Sequence, residues 1–123
     1  MTKAKVGEFL WQDLTVANAD GVADFYAQVV GWEKKAVPMG DYSDHGMMVA
    51  DEMKAGICHN QGENAAIPPQ WLLYVAVADL ATSVATVSAL GGKILVAPKA
   101  MGEDQFAVIE DPAGAVLALY QQA

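Results

Sequence analysis

Asp13 stands in the segment Phe9 to Val16 (FLWQDLTV), where aromatic and branched residues favour a strand. Alternate side chains of a strand share a side. Trp11, Asp13 and Thr15 therefore line one side, and Leu10, Leu14 and Val16 the other. A carboxylate between an indole and a hydroxyl is the chemistry of a ligand anchor or a general base. His45 falls in Asp44-His45-Gly46, read as a turn, where its ring is solvated or contacts a ligand. His59 follows the single cysteine, Cys58, at a strand end. Adjacent strand residues point to opposite faces, so the two do not make a nucleophile and its base. Cys58 reads as a small buried apolar residue, and one cysteine forms no internal disulfide.

The chain has 123 residues, enough for one domain with a real core. Seven basic residues face fifteen acidic ones, for a net charge of -8, and every basic residue is a lysine. That balance excludes nucleic acid as a partner. The absence of arginine also removes the bidentate clamp used on carboxylates and phosphates. No apolar stretch follows the first lysines, so a signal peptide is not expected. The longest apolar runs fall far short of a membrane span. The expectation is a cytoplasmic protein with no membrane partner.

The elements that must position these residues recur in one order. After the first strand, Asn18 caps a helix that carries Val22, Phe25, Tyr26, Val29 and Val30 at helical spacing and stops at Gly31. Strands follow at Trp32 to Val37, ended by Pro38, then at Gly46 to Ala50 and Lys54 to His59. Residues 60–69 form a loop. Trp71 to Val77 is again a strand, Asp79 a cap, and Leu80, Val84, Val87 and Leu90 a helix stopped by Gly91-Gly92. Lys93 to Ala97, ended by Pro98, Phe106 to Glu110 and Ala115 to Tyr120 close the series, the last two joined by the turn Asp111-Pro112-Ala113-Gly114. Val16-Ala17-Asn18 matches Val77-Ala78-Asp79, and Val49-Ala50-Asp51 matches Ile109-Glu110-Asp111, at a shift of about 60 residues. The unit is βαβββ, present twice, at about residues 8–59 and 70–121 of a single α+β domain.

Trp11-Gln12-Asp13-Leu14-Thr15-Val16, Phe25-Tyr26 followed by Val30-Gly31-Trp32, and Phe106-Ala107-Val108 through Asp111-Pro112-Ala113-Gly114-Ala115 together carry a resemblance. The chain resembles the vicinal-oxygen-chelate superfamily, which includes glyoxalase I, extradiol dioxygenases and bleomycin-resistance proteins. The resemblance runs from Phe9 to Tyr120. It implies a mixed sheet curled into a cup, with helices on the outer face. Leu14 and Val16 then pack on a helix, so Trp11, Asp13 and Thr15 face the cup. Leu72, Tyr74 and Ala76, then Val116, Ala118 and Tyr120, do the same in the second module. Trp71 and Tyr42 reach the rim.

Metal-using members place His, Glu or Gln at four cup positions. Those positions fall here on Trp11, Leu72, Cys58 and Ala118, so the resemblance implies no metal and no other cofactor. The expected ligand-binding residues are Trp11, Asp13, Thr15, Tyr74, Tyr120, Trp71 and His45. The expected function is metal-free binding or sequestering of a small organic molecule, flat and neutral or cationic. The alternative is a metal-dependent lyase or oxidoreductase of the glyoxalase or dioxygenase kind, with a donor set drawn from residues such as Asp13, His45, His59 and Glu110. Single-domain relatives usually pair and the mean hydropathy is positive, so a homodimer is expected.

Overall fold

Asn18 and Gly31 bracket the first helix as the sequence requires. The Asn18 side chain accepts the Gly21 N–H, and Gly31 adopts a left-handed conformation (φ 92°) whose N–H donates to the Ala27 carbonyl. The computed structural model describes residues 3–123 and gives the order β1 (Phe9–Val16), α1 (Ala19–Val30), β2 (Glu33–Pro38), β3 (Ser43–Val49) and β4 (Glu52–His59). After a short 3-10 turn (Gly62–Ala66) come β5 (Trp71–Ala76), α2 (Leu80–Ala89), β6 (Lys93–Met101), β7 (Asp104–Glu110) and β8 (Val116–Gln121). The βαβββ plan thus occurs twice, in an α+β fold. Asp79 caps α2 by accepting the Thr82 N–H. Among the described residues no helix is long and apolar enough to cross a membrane.

The chain divides into two compact units. One is contiguous, Gln12–Trp71; the other is split, joining the residues up to Trp11 with Leu72–Ala123. In the contiguous unit the strand order is β2-β3-β4-β1. The β1/β4 pair is parallel and the others antiparallel, a mixed arrangement. The core lies under α1, where Leu14, Met47, Ala55 and Ile57 meet Ala19 and Ala23. The split unit runs β5-β8-β7-β6, again with one parallel pair, β5/β8. Leu80 of α2 packs there on Ala107 and Leu119. The residues leading into β1 join this unit: the Gly7 N–H donates to Ala76 O, and the Ala76 N–H donates to Glu8 O.

Two element boundaries differ from the sequence reading by three residues or more. β3 begins at Ser43, so His45 lies within a strand rather than a turn. The polar run Ser43-Asp44-His45 hides the strand period, yet it pairs residue by residue with β2, from Pro38↔Ser43 to Glu33↔Met48. β6 continues past Pro98 to Met101. Proline cannot donate to a ladder, and it sits where the β6/β7 register shifts, between Val96 and Lys99, on the outermost strand of its unit.

Candidate functional site

Strand parity in the contiguous unit separates two faces. Leu14 packs toward α1, with Val16 against the same cluster, so Asp13 and Thr15 point the other way. The register Asp13↔Gly56 and Thr15↔Cys58 puts Cys58 on their side. Gly46↔Gly56 does the same for β3, which brings in Asp44 two residues earlier. This face therefore carries two carboxylates, a hydroxyl and a thiol. Asp13 is 8% exposed and Asp44 9%, both far below the usual exposure of an aspartate. Asp44 accepts the His59 backbone N–H at 2.9 Å. Met53 lies across Gly46, where a Cβ would fall 2.3 Å from the methionine methyl.

The electrostatics of this face decide the role of Cys58. Burial comes first, then the charges of Asp13 and Asp44; together they push the thiol well above its ordinary range. The thiol also donates a hydrogen bond to Asp44. A thiolate is the nucleophilic and metal-binding form, and here it is suppressed. Cys58 serves as a buried donor. The carboxylates are the groups with chemistry to offer, namely attraction for a positive charge or acceptance of hydrogen bonds.

In the split unit the corresponding face is aromatic. Tyr74↔Ala118 and Ala76↔Tyr120 set the register. The Tyr74 ring lies 6.2 Å from Phe106 and 6.3 Å from Tyr120, within the range of favourable aromatic pairs. The Tyr120 hydroxyl donates to Asp104 at 2.7 Å, and the Ala123 N–H donates to the other Asp104 oxygen at 2.8 Å. These bonds hold the Asp104 carboxyl below its usual range. Burial, then Asp104, pushes Tyr120 up to about 12. The Lys99 ammonium stands 5.4 Å from the Phe106 ring centre. Trp11, half-buried, belongs to this unit by chain position.

Two of the expected ligand-binding residues lie on the helix side. Trp71 packs with Tyr26 and Trp32, at ring distances of 5.3 and 5.9 Å, in the cluster under α1. Its indole N–H donates to the Tyr26 hydroxyl at 3.1 Å. Parity explains this, since odd-numbered β5 residues point away from Tyr74. His45 also lies on the helix side, opposite Asp44 and level with Ile57. Its Nε2 is 2.7 Å from Asp20 Oδ1, and His59 Nε2 is 3.4 Å from the same oxygen. The hydrogen bond from His45 lowers the Asp20 carboxyl. Tyr42 sets its ring 5.3 Å from His59. Nothing in the sequence ties Asp20, on the first turn of α1, to either histidine.

The four positions where metal-using relatives hold their ion do not fit one here. Trp11, Leu72 and Ala118 offer no donor to a divalent cation, and Leu72 and Ala118 are fully buried. Cys58 is the one donor among the four, and one donor does not make a site.

A family model described as a glyoxalase-like domain matches residues 12–120. CFP32 of Mycobacterium tuberculosis, a candidate glyoxylase by name, is 26% identical over 120 residues, covering 97% of this chain and 46% of that protein. The anthracycline biosynthesis protein DnrV of Streptomyces peucetius is 29% identical, covering 99% of this chain and 50% of DnrV. The chain thus spans about half the length of these curated relatives. Among solved structures, a glyoxalase/bleomycin resistance protein/dioxygenase superfamily member from Vibrio splendidus aligns with a TM-score of 0.60 at 14% identity, covering 94% of this chain and all of that one. Methylmalonyl-CoA epimerase from Mycobacterium tuberculosis aligns with a TM-score of 0.57 at 16% identity, covering 100% of this chain and 93% of that one. At such identity the structures speak to fold alone.

Proposed function

Because the chain belongs to the glyoxalase-like domain family, we propose that it binds a small organic molecule, neutral or cationic, on the polar face of the contiguous unit. Asp13 is the polar anchor, and no metal occupies the family's four ligand positions. The observation that carries this reading is the placement of Asp13 and Asp44 on one face, each nearly buried, with Thr15 and Cys58 between them in register. Two carboxylates beside a hydroxyl and a thiol make this face rich in acceptors and negative in charge, which favours a ligand with donors or positive charge. The lack of arginine disfavours anionic substrates. DnrV, by name a protein of anthracycline biosynthesis, supports an organic molecule as the ligand class.

The test is a tryptophan-fluorescence titration with aromatic cations and matched anions. The expected result is preferential binding of cations, weakened about tenfold or more by Asp13→Asn, since a hydrogen bond to a charged group contributes about 1.5–3 kcal/mol. Tighter binding of the anions, or an unchanged cation affinity in Asp13→Asn, overturns the reading.

A further inference from the structure

The helix side of the contiguous unit carries a second constellation that the Asp13 face does not use. Three elements each supply one donor: Asp20 from the first turn of α1, His45 from β3 and His59 from the end of β4. Their ligand atoms all lie within 4.8 Å of one another. The two imidazoles are fixed by packing, with side chains only 14% and 15% exposed, whereas Asp20 is 75% exposed. Both rings aim Nε2 at the same Asp20 oxygen. At 2.7 Å His45 makes a full hydrogen bond, but 3.4 Å leaves His59 beyond normal range of that oxygen. His59 Nε2 donates instead to the Ser43 carbonyl oxygen at 3.1 Å, a bond whose proton a metal ion would displace.

We propose that Asp20, His45 and His59 form a binding site for a divalent transition-metal ion of the zinc class. Two imidazole nitrogens and a carboxylate are the donors that such an ion selects. Metal–nitrogen and metal–oxygen bonds of about 2.0–2.2 Å place tetrahedral ligand atoms about 3.3–3.6 Å apart. The 3.4 Å separation falls in that range, and the exposed Asp20 carboxylate can draw back from 2.7 Å to meet it. An ion between the three atoms replaces one hydrogen bond and one loose contact with three bonds. The withdrawn histidines fix the geometry, and the exposed carboxylate closes it from solvent. The Tyr42 ring, edge-on to His59, holds that imidazole in place. Parity sets this site on the face opposite Asp13, so it does not rest on the proposed organic ligand.

The experiment uses the whole chain, stripped of metal, titrated with Zn²⁺ in competition with a chromophoric chelator. One equivalent should bind. His45→Ala and His59→Ala should each weaken binding by at least about tenfold, since even outer partners of metal ligands cost that much. Asp20→Ala, on the exposed first turn of α1, should weaken it without unfolding the chain. Asp13→Asn should leave zinc affinity unchanged, which separates this site from the organic one. Absence of binding leaves an ion pair only and overturns the proposal, as does unchanged affinity in the histidine variants. Should those variants not fold, the imidazole NMR signals of the wild type decide: both must shift with Zn²⁺, and a shift of neither overturns the assignment.

Discussion

The contiguous and split units share a plan and differ in what they do with one face. Under the helices they match: Leu14, Met47 and Ile57 meet Ala19 and Ala23 of α1 as Ala107 and Leu119 meet Leu80 of α2. On the opposite face the types part. Where the contiguous unit has Asp13 and Cys58, the split unit has Tyr74 and Ala118 at a shift of about 60 residues. Asp44 and Asp104 are the exception. Each accepts a backbone N–H near the end of its unit's last strand, from His59 and from Ala123. The helix side answers to burial, which any apolar residue of suitable volume satisfies. The other face is free to carry carboxylates in one copy and rings in the other, and the chemistry resides in that divergence.

The comparison is tested most strongly in the cores. Ile57→Ala and Leu80→Ala remove fully buried side chains, and each should cost about 2–5 kcal/mol in urea unfolding. A small loss in one with a large loss in the other would break the equivalence of the helix sides. The caps come next. Asn18→Ala and Asp79→Ala each remove one side-chain bond to a helix N–H, and each should cost about 1 kcal/mol.

The turns sharpen the contrast. The β7–β8 turn meets its left-handed position with Gly114 (φ 92°), whereas the β3–β4 turn uses Ala50 (φ 52°). Ala50→Gly should relieve about 1–2 kcal/mol of backbone strain. Part is returned through the freer unfolded chain, leaving a gain of about 0.5–1 kcal/mol by thermal melting. Gly114→Ala should be destabilising.

The smallest expected effect is the share of Tyr120 in an alkaline pH slope to which the raised Cys58 thiol of the contiguous unit also contributes. Tyr120 is raised to about 12 in the folded chain, from about 10 unfolded. The folded state therefore holds the phenolic proton more tightly. The resulting stability is intact below pH about 10 and is lost as pH rises toward about 12. Alkaline unfolding curves of Tyr120→Phe should decline less steeply than those of the wild type; an unchanged slope would leave Tyr120 without a share in it.

Much of this was legible in the residues. Helix ends were set by Asn18, Gly31 and Asp79, whose side chains or left-handed backbone do the capping. The faces of β1 followed from the alternation of Asp13, Leu14 and Thr15. The start of β3 was not legible, because Asp44 is buried by bonding a backbone amide rather than by being apolar. Trp71 was misplaced by one step of parity: it is adjacent in sequence to the buried Leu72 but points to α1. The meeting of Asp20 with His45 and His59 depends on how α1 lies on β3 and β4, and no local pattern encodes that packing.

The division of the chain also sets an order of events during synthesis. The contiguous unit can close once Trp71 is available, because every strand it needs lies between residues 12 and 71. The split unit must wait until β8 has emerged, while Gly7 and Glu8 hold no strand partner until Ala76 arrives. At about 5–20 residues per second, the span from Trp71 to Gln121 takes roughly 3–10 seconds. For that interval the ribosome carries one finished half beside a segment with nowhere to bury Tyr74. A nascent chain of this design closes its contiguous half first and leaves the split half waiting for its last strand.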